Sequence, residues 1–540
     1  MTHKTIMILG GGTMQVPAIN LAKGMGLTVI VADGNPDVPG RKIADFFENV
    51  DLKDHRGMIE TALKYKHKGS LDGVFTAGTD FSETVARVAA AAGLPGIPVA
   101  SAVNASNKGV MRKVLHDAGI AVPRNLLLNS PVTMDNCEGS VLSGGLDFPL
   151  VVKPVDNMGS RGIRRVDSCP ELKEAVISAV KYSGSGGVII EEYLEGPEYS
   201  LDALIYDGEI HICGVADRHI FFPPYFVEMG HTIPAAADPF ILEEVTEVFK
   251  QGIKALGITN GAAKGDIKWS RGRAYVGEIA ARLSGGYMSG WTYPYSSGVE
   301  VTRSAIRIAL GLPPEDLTPT GDRTSAERAV ISIPGIVTEI SGKEDAFTLE
   351  GVKHLFIRIQ KGSRVSFPTN NVEKCGNCIA VSGKRGDAVF MAEEGCRKIF
   401  IRLKPGEELT EDFLFNNSEP WVPAAFTLEK SENISFLESL PPGKGSRGAV
   451  WIPVLPDMEG EEKLEWHGKD LRRAFNEVVT ITGCRTFSGE NIREGILPGK
   501  IFYSAFLRGG VQGGVWVIDT VRSFVENGGR AEELFKKWEN

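Results

Sequence analysis

Residues 148–161, Phe-Pro-Leu-Val-Val-Lys-Pro-Val-Asp-Asn-Met-Gly-Ser-Arg, constrain this chain more than any other stretch. An apolar, β-branched run leads into Lys153 and then into a glycine-bearing turn rich in hydrogen-bond donors. A lysine fixed at a strand end beside exposed backbone N–H groups is a way to hold polyphosphate. The segment therefore predicts a strand, a cationic anchor and a mobile loop in that order. No Gly-x-x-x-x-Gly-Lys-Ser/Thr is present, since Lys384 is followed by Arg385 and Lys444 by Gly445. This argues against a P-loop as the phosphate cradle.

At 540 residues, with 42% hydrophobic and 24% charged positions, the chain is too long for one core and reads as a multidomain α/β protein. A net charge of −9 without a Lys/Arg-dense run excludes a nucleic-acid scaffold. Met1 to Leu9 lacks the apolar core of a signal peptide, and no stretch of about 18 apolar residues offers a membrane span. The cytoplasm is the expected compartment, with no membrane partner. Seven scattered cysteines fit reduced thiols rather than a disulfide framework.

The first hundred residues alternate strand and helix: strands at 4–9, 28–32 and 71–76, and a helix at 14–23. Gly10, Gly12 and Asp33 approach a dinucleotide fingerprint, but its last glycine is replaced by Gln15. A structural turn or part of a substrate pocket fits these residues as well. Ser106 or Asn107 caps a helix reaching about Asp117 and stopped by Gly119, which places Lys108 in its first turn. The macrodipole opposes a lysine there unless an anion is close. Strands are expected at 188–193, 199–206 and 209–215, the last two joined at Asp207-Gly208, and an amphipathic helix begins at Asp238-Pro239. Another helix spans about 299–310, closed by Gly311.

A second hairpin gives the sharpest reading. Residues 261–269 and 274–281 flank Ser270-Arg-Gly-Arg273. If the turn is Arg271 to Arg273, Asp266 lies opposite Glu278 with Cβ atoms about 5 Å apart. Two carboxylates so placed repel, and a divalent cation reverses the sign of that interaction. A two- or four-residue turn would send Asp266 to the other face. Arg282 shares the face of Glu278 and Ala280 by the two-residue strand period, and Ser284-Gly285-Gly286 follows it. A plain surface salt bridge is the alternative reading of Arg282.

Taken in order, Asn107-Lys108, residues 148–162, Ile189-Ile-Glu191-Glu192-Tyr193-Leu194-Glu-Gly-Pro-Glu198, Gly265-Asp-Ile-Lys268 and Glu278-Ile-Ala-Ala-Arg282 resemble the ATP-grasp superfamily of carboxylate–amine ligases. The branch is that of carbamoyl-phosphate synthase large chain and the L-amino-acid ligases. The resemblance implies a Rossmann-like domain over 1–100, an ATP-grasp fold over 101–312, a β-rich domain over 313–405 and an unassigned domain over 406–540. It implies ATP and Mg²⁺, or Mn²⁺ in its place, and activation of a carboxylate as an acyl phosphate that an amine then captures, with release of ADP. Lys108, Lys153, Gly159, Ser160, Arg161 and Gly162 would hold phosphates. Glu191 to Leu194 would form the adenine hinge on an exposed strand edge, and Glu198 would bind ribose.

Asp266 and Glu278 would be the metal acids, while Arg282 and Lys153 would be catalytic. Ala280 stands where the family often has asparagine, which removes a third side-chain ligand. Arg218, Glu228, His231, Ser284, Gly285 and Gly286 would face the second substrate, Glu228 and His231 from a loop, although His231 reads equally well as a satisfied loop histidine. The expected partners are small carboxylates and amines, amino acids among them, and a second copy of the chain. Bicarbonate activation in the manner of carbamoyl-phosphate synthase, and a non-catalytic nucleotide-binding scaffold, are the alternatives. Cys375-Gly-Asn-Cys378 is a weak zinc or redox candidate. The acidic run 459–465 reads as a solvated face, and the glycine-rich stretch 507–514 as a hairpin or loop.

Overall fold

The computed structural model describes residues 4–129, 141, 144–456, 458, 463–487 and 495–539. The chain divides into two compact units, residues 1–327 with 381–389, and residues 328–380 with 390–540.

The first unit opens with a parallel four-stranded sheet in the order Phe46–Asn49, Thr28–Asp33, Thr5–Leu9, Gly73–Phe75. Both faces are covered, as parallel strands require. Met7, Leu9, Ile30 and Val74 lie in one core cluster, and Ile6, Ile8, Val29 and Val31 share another with Leu204, Ala262 and Leu283. The strand at Phe46–Asn49, whose own residues are half-buried or exposed, lacked the apolar run that marks the other three. The glycine turn is filled by its own chain. Gly40 N–H donates to the Gly11 carbonyl at 2.8 Å, and Asp33 accepts from the N–H groups of Gly11 and Asn35, both at 2.8 Å. Asp33 braces this turn, so its carboxylate is committed to the protein's own backbone.

An antiparallel four-stranded sheet follows, ordered Asn125–Leu128, Val188–Glu192, Leu150–Pro154, Arg164–Val166. Helix Cys169–Tyr182 covers it through Leu172, Ala175, Val176 and Ala179. The largest sheet of the unit runs Arg273–Ala280, Gly261–Ser270, Glu198–Tyr206, Glu209–Phe221, Val227–Ile233 and Thr324–Val330. Helix Pro239–Ala255 packs Val245, Phe249 and Ile253 against it, and Asp238 caps that helix by accepting from Phe240 N–H at 2.9 Å. The turn Asp207-Gly208 has positive φ at both residues, 50° and 81°, as a tight two-residue hairpin demands.

In the second unit, Gly335–Ser341 pairs antiparallel with Arg364–Val365 and Phe400–Leu403, and Val352–Ile357 pairs with Gly376–Ser382. The expected glycine-rich hairpin at 507–514 lies instead inside helix Lys500–Glu526, which kinks at Gly510. The glycines serve close packing. A Cβ at Gly509 would stand 2.6 Å from Leu414, and one at Gly514 2.9 Å from Val478. The same helix ties residues 406–540 to the preceding domain, with Trp516 Nε1 donating to the Lys404 carbonyl at 2.9 Å and Arg402 paired to Asp519 at 2.7 Å. In the run read as a solvated acidic face, Glu465 is buried and accepts from His467 and Lys469 N–H, while 459–462 fall outside the described residues. Cys375 and Cys378 are buried thiols, burial pushing Cys375 up to about 12, and no group of three metal-ligating side chains occurs among the described residues.

Candidate active site

Four antiparallel strands form a floor of paired residues. Arg218, Glu198 and Lys268 make one row across it; Ala216, Ser200, Asp266 and Glu278 make the next; Gly214, Asp202, Lys264 and Ala280 make the third. Cross-strand partners share a face, so the charged side chains of these rows converge.

Asp266 does face Glu278, but by another route than the expected turn. The hairpin closes on two residues, Arg271 and Gly272, with φ of 51° and 75°. That turn alone would pair Asp266 with Gly277. A bulge at Gly277 adds the extra residue and restores Glu278 to the position opposite Asp266. Arg112 Nη2 holds the bulge by donating to the Gly277 carbonyl at 2.6 Å.

Helix Lys108–Asp117 begins where Asn107 accepts from Val110 N–H at 3.1 Å. The anion that Lys108 requires at this helix N-terminus is Glu278, 3.0 Å away, and Lys108 Nζ also donates to the Asn157 carbonyl at 2.8 Å. Lys108, Lys264 and Arg282 together hold the Glu278 carboxyl far below its ordinary value against the cost of burial. Asp266 receives Arg218 Nη1 at 2.9 Å and the Lys264 ammonium on Oδ2. Its Oδ1 is buried without a hydrogen-bond partner among the described residues. An orphaned carboxylate oxygen facing a second carboxylate fits a hard divalent cation that takes its remaining ligands from phosphate.

The proposed hinge needs correction. Strand Val188–Glu192 is internal, between Asn125–Leu128 and Leu150–Pro154, so it offers no exposed edge. Glu191 is buried, paired with Arg112 at 2.5 Å and Lys153 at 2.6 Å, and these cations hold it down to about 2. Glu192 points its carboxylate at Arg124 and Arg271. Its Oε1 takes the Arg124 N–H at 3.0 Å, while Glu192 N–H donates to the Arg124 carbonyl at 2.9 Å. The donor that would reciprocate on the Glu192 carbonyl is thus diverted to a side chain. The strand ends at Glu192, and Tyr193 N–H beyond it donates to the Pro149 carbonyl at 3.1 Å.

The glycine turn is anchored more firmly than a free loop. Gly159, Ser160 and Gly162 have positive φ, a Cβ at Gly162 would stand 2.9 Å from Tyr182, and Arg161 Nε donates to the Met158 carbonyl at 3.1 Å. Glu198 pairs with Arg218 across the floor and with Lys268 at 3.7 Å.

Arg218 and Glu228 lie on adjacent strands rather than a loop. The Arg218 guanidinium is shared among Glu198, Glu228 and Asp266, with Nε donating to Glu228 at 2.9 Å. It organises the acids rather than offering itself to a second substrate. His231 is fully buried, with Nε2 2.7 Å from Thr292 Oγ1 and Nδ1 3.2 Å from Glu327. It is a core histidine, which removes it from the substrate-facing set. A Cβ at Gly286 would meet Glu228 Oε1 at 3.1 Å, so Glu228 does adjoin Ser284-Gly285-Gly286. That loop runs backbone to backbone past Gly78, whose N–H donates to the Leu283 carbonyl at 3.2 Å. Arg282 reaches Asp80 through Nε at 3.2 Å and Nη2 at 3.0 Å.

Sequence reading missed Arg112, Asp80, Lys264 and Asp202. Asp202 is fully buried and accepts from Ser284 N–H at 2.9 Å and Oγ at 2.5 Å. Burial pushes its carboxyl up to about 6. A lone acid inside the apolar run Leu201–Ile205 was the available signal.

Residues 146–290 match the ATP-grasp domain family, and residues 329–404 match L-amino acid ligase C-terminal domain 2. Among solved structures, an L-amino acid ligase from Bacillus licheniformis superposes with a TM-score of 0.65 at 22% identity, over 74% of this chain and 99% of that one, which shows a shared fold. Carnosine synthase 1 from Homo sapiens is 23% identical over 335 residues, 58% of this chain and 40% of that protein. D-alanine–D-alanine ligase from Pseudomonas fluorescens is 29% identical over 182 residues, 33% of this chain and 53% of that protein. This chain therefore spans about half or less of the length of these two curated relatives. No helix among the described residues is long and apolar enough to cross a membrane.

Proposed function

We propose that this chain, whose residues 146–290 match the ATP-grasp domain family and residues 329–404 L-amino acid ligase C-terminal domain 2, is an ATP-dependent carboxylate–amine ligase forming a C–N bond with release of ADP and phosphate. The observation that carries the reading is the convergence of Lys108, Glu278, Asp266 and Lys264 on one face beside the strand bearing Lys153. The relatives named for L-amino acid, carnosine and D-alanyl-D-alanine ligation make amino acids the first substrates to test.

In this reading the backbone at Glu192 to Leu194 receives adenine and Glu198 the ribose. Lys153 and Lys108, held in place by Glu191 and Glu278, face the phosphates together with the turn Gly159 to Gly162. Asp266 and Glu278 would hold Mg²⁺, or Mn²⁺ in its place, which when bound neutralises charge on the phosphate oxygens. Arg282 steadies charge that develops on the transferred phosphoryl group, and the backbone of Ser284 to Gly286 approaches the acyl phosphate closely. No covalent nucleophile is needed, because positioning and exclusion of water suffice.

The test is a pairwise screen of amino acids and small carboxylates for ADP formation, with hydroxylamine present to trap the activated acyl group as a hydroxamate. ADP with hydroxamate is the expected result. Stoichiometric AMP and pyrophosphate would overturn the mechanism.

A further inference from the structure

The third row of the floor is unusual in its chemistry. Lys264 stands directly opposite Ala280 on one side and Asp202 on the other. It lies two residues before Asp266 on the same strand face, and its ammonium pairs with Asp266 Oδ2. Its side chain is largely buried, at 12% exposure, so this ammonium is a fixed part of the site and not a solvated charge passing by. Glu278 also feels its positive charge.

Ala280 is the cross-strand partner of Lys264. Its methyl group supplies no oxygen to a metal. An asparagine there would bring a carbonyl oxygen onto the face that already holds Asp266 and Glu278. Two divalent ions about 4 Å apart need bridging carboxylates and further oxygen ligands around each ion. Here the position that would add such an oxygen is blank, and the cross-strand neighbour is itself a cation. The Lys264 ammonium on Asp266 Oδ2, beside the Arg218 guanidinium 2.9 Å from the same oxygen, repels a second divalent ion from it while leaving Oδ1, which is buried without a hydrogen-bond partner among the described residues, for the first.

We propose that Lys264 is a resident cation: opposite Ala280 and bound to Asp266, it takes the place of a second divalent ion, so the nucleotide-loaded site holds one. The inference rests on the ATP-dependent reading above, and it assigns to Lys264 and Ala280 a joint role in setting metal stoichiometry.

The experiment counts Mn²⁺ bound to the full chain by the loss of the free-ion electron paramagnetic resonance signal, with the non-hydrolysable analogue AMP-PNP. AMP-PNP binding is measured separately by calorimetry. One Mn²⁺ per complex is expected in the native chain, and two in a Lys264→Gln/Ala280→Asn double variant that still binds AMP-PNP. Two Mn²⁺ in the native complex would overturn the proposal while leaving the ligase reading intact. A double variant that binds AMP-PNP and still holds one ion would overturn it as well. Failure of the native chain to bind AMP-PNP would refute the ATP reading and this proposal together.

Discussion

Asp266 and Glu278 oppose each other across an antiparallel pair because Gly277 is bulged between them and the strand's regular register. Arg218 and Lys264 pair with Asp266 and Lys108 pairs with Glu278, so each carboxylate has its own cations at close quarters. Glu278→Gln should keep the fold and lower turnover by about 100-fold, on the order of 3 kcal/mol of transition-state stabilisation. Steady-state rates across a Mg²⁺ titration check it. Unchanged rates at limiting Mg²⁺ would remove Glu278 from the metal site.

Arg112 couples three parts of the first unit. It sits on helix Lys108–Asp117, pairs with Glu191 on the neighbouring sheet and holds the Gly277 carbonyl. Arg112→Met leaves Glu191 with Lys153 alone in a buried setting, and breaking a buried pair costs about 3–5 kcal/mol. Chemical denaturation should show a loss of that size. The Glu191 carboxyl is depressed to about 2, so its stabilisation is complete above about 4.5, the ordinary carboxylate value, and is lost as pH falls from there toward 2. The difference in stability between native and variant chains should shrink over that window.

Asp202 has the opposite sign. Its folded carboxyl titrates near 6, raised by burial from an ordinary 3.8, so the native state binds the extra proton between these values. Its contribution to stability is greatest in acid, falls as pH rises from about 4 through 6, and settles at a cost on the order of 3 kcal/mol above that. Asp202→Asn keeps a group able to accept from Ser284 N–H and cannot ionise. The native-minus-variant stability should therefore decline between pH 4 and 6 and level off above it. A difference independent of pH would show that Asp202 keeps one protonation state throughout.

The sequence exposed what depends on local pattern. Lys153 at a strand end, Asn107 as a helix cap and the turn at Asp207-Gly208 were each readable from a few neighbouring residues. Register was not, because two compensating features, a shorter turn and a bulge at Gly277, gave the pairing of Asp266 with Glu278 that a three-residue turn predicts. Strand neighbours were also illegible. The acids of Glu191-Glu192 suggested an edge, whereas Arg112, Lys153, Arg124 and Arg271 neutralise them inside the sheet, and three of these four partners lie at least 68 residues away. His231 shows the same limit, since its partners Thr292 and Glu327 are brought to it by tertiary structure alone. At 507–514 glycine signalled a turn by composition, and tertiary packing against Leu414 and Val478 used it for a helix.

The turn from Asp156 to Gly162 is held from one side in this structure. Asp156 accepts from Ser183 Oγ at 2.7 Å and from the N–H groups of Gly184 and Ser185, and Asn157 Nδ2 donates to the Tyr182 carbonyl at 2.6 Å. Gly162 has φ of 72° and abuts Tyr182, so Gly162→Ala combines a left-handed backbone with a contact that forces the ring aside. A cost of about 1–2 kcal/mol is expected, confined to this turn rather than the whole fold. Limited proteolysis reads it directly. The native turn should be cut slowly and become further protected with Mg-ATP, whereas the variant turn should be cut several-fold faster without nucleotide and need more ATP for the same protection. Equal cleavage of both chains with and without Mg-ATP would show that the turn does not close over the phosphates.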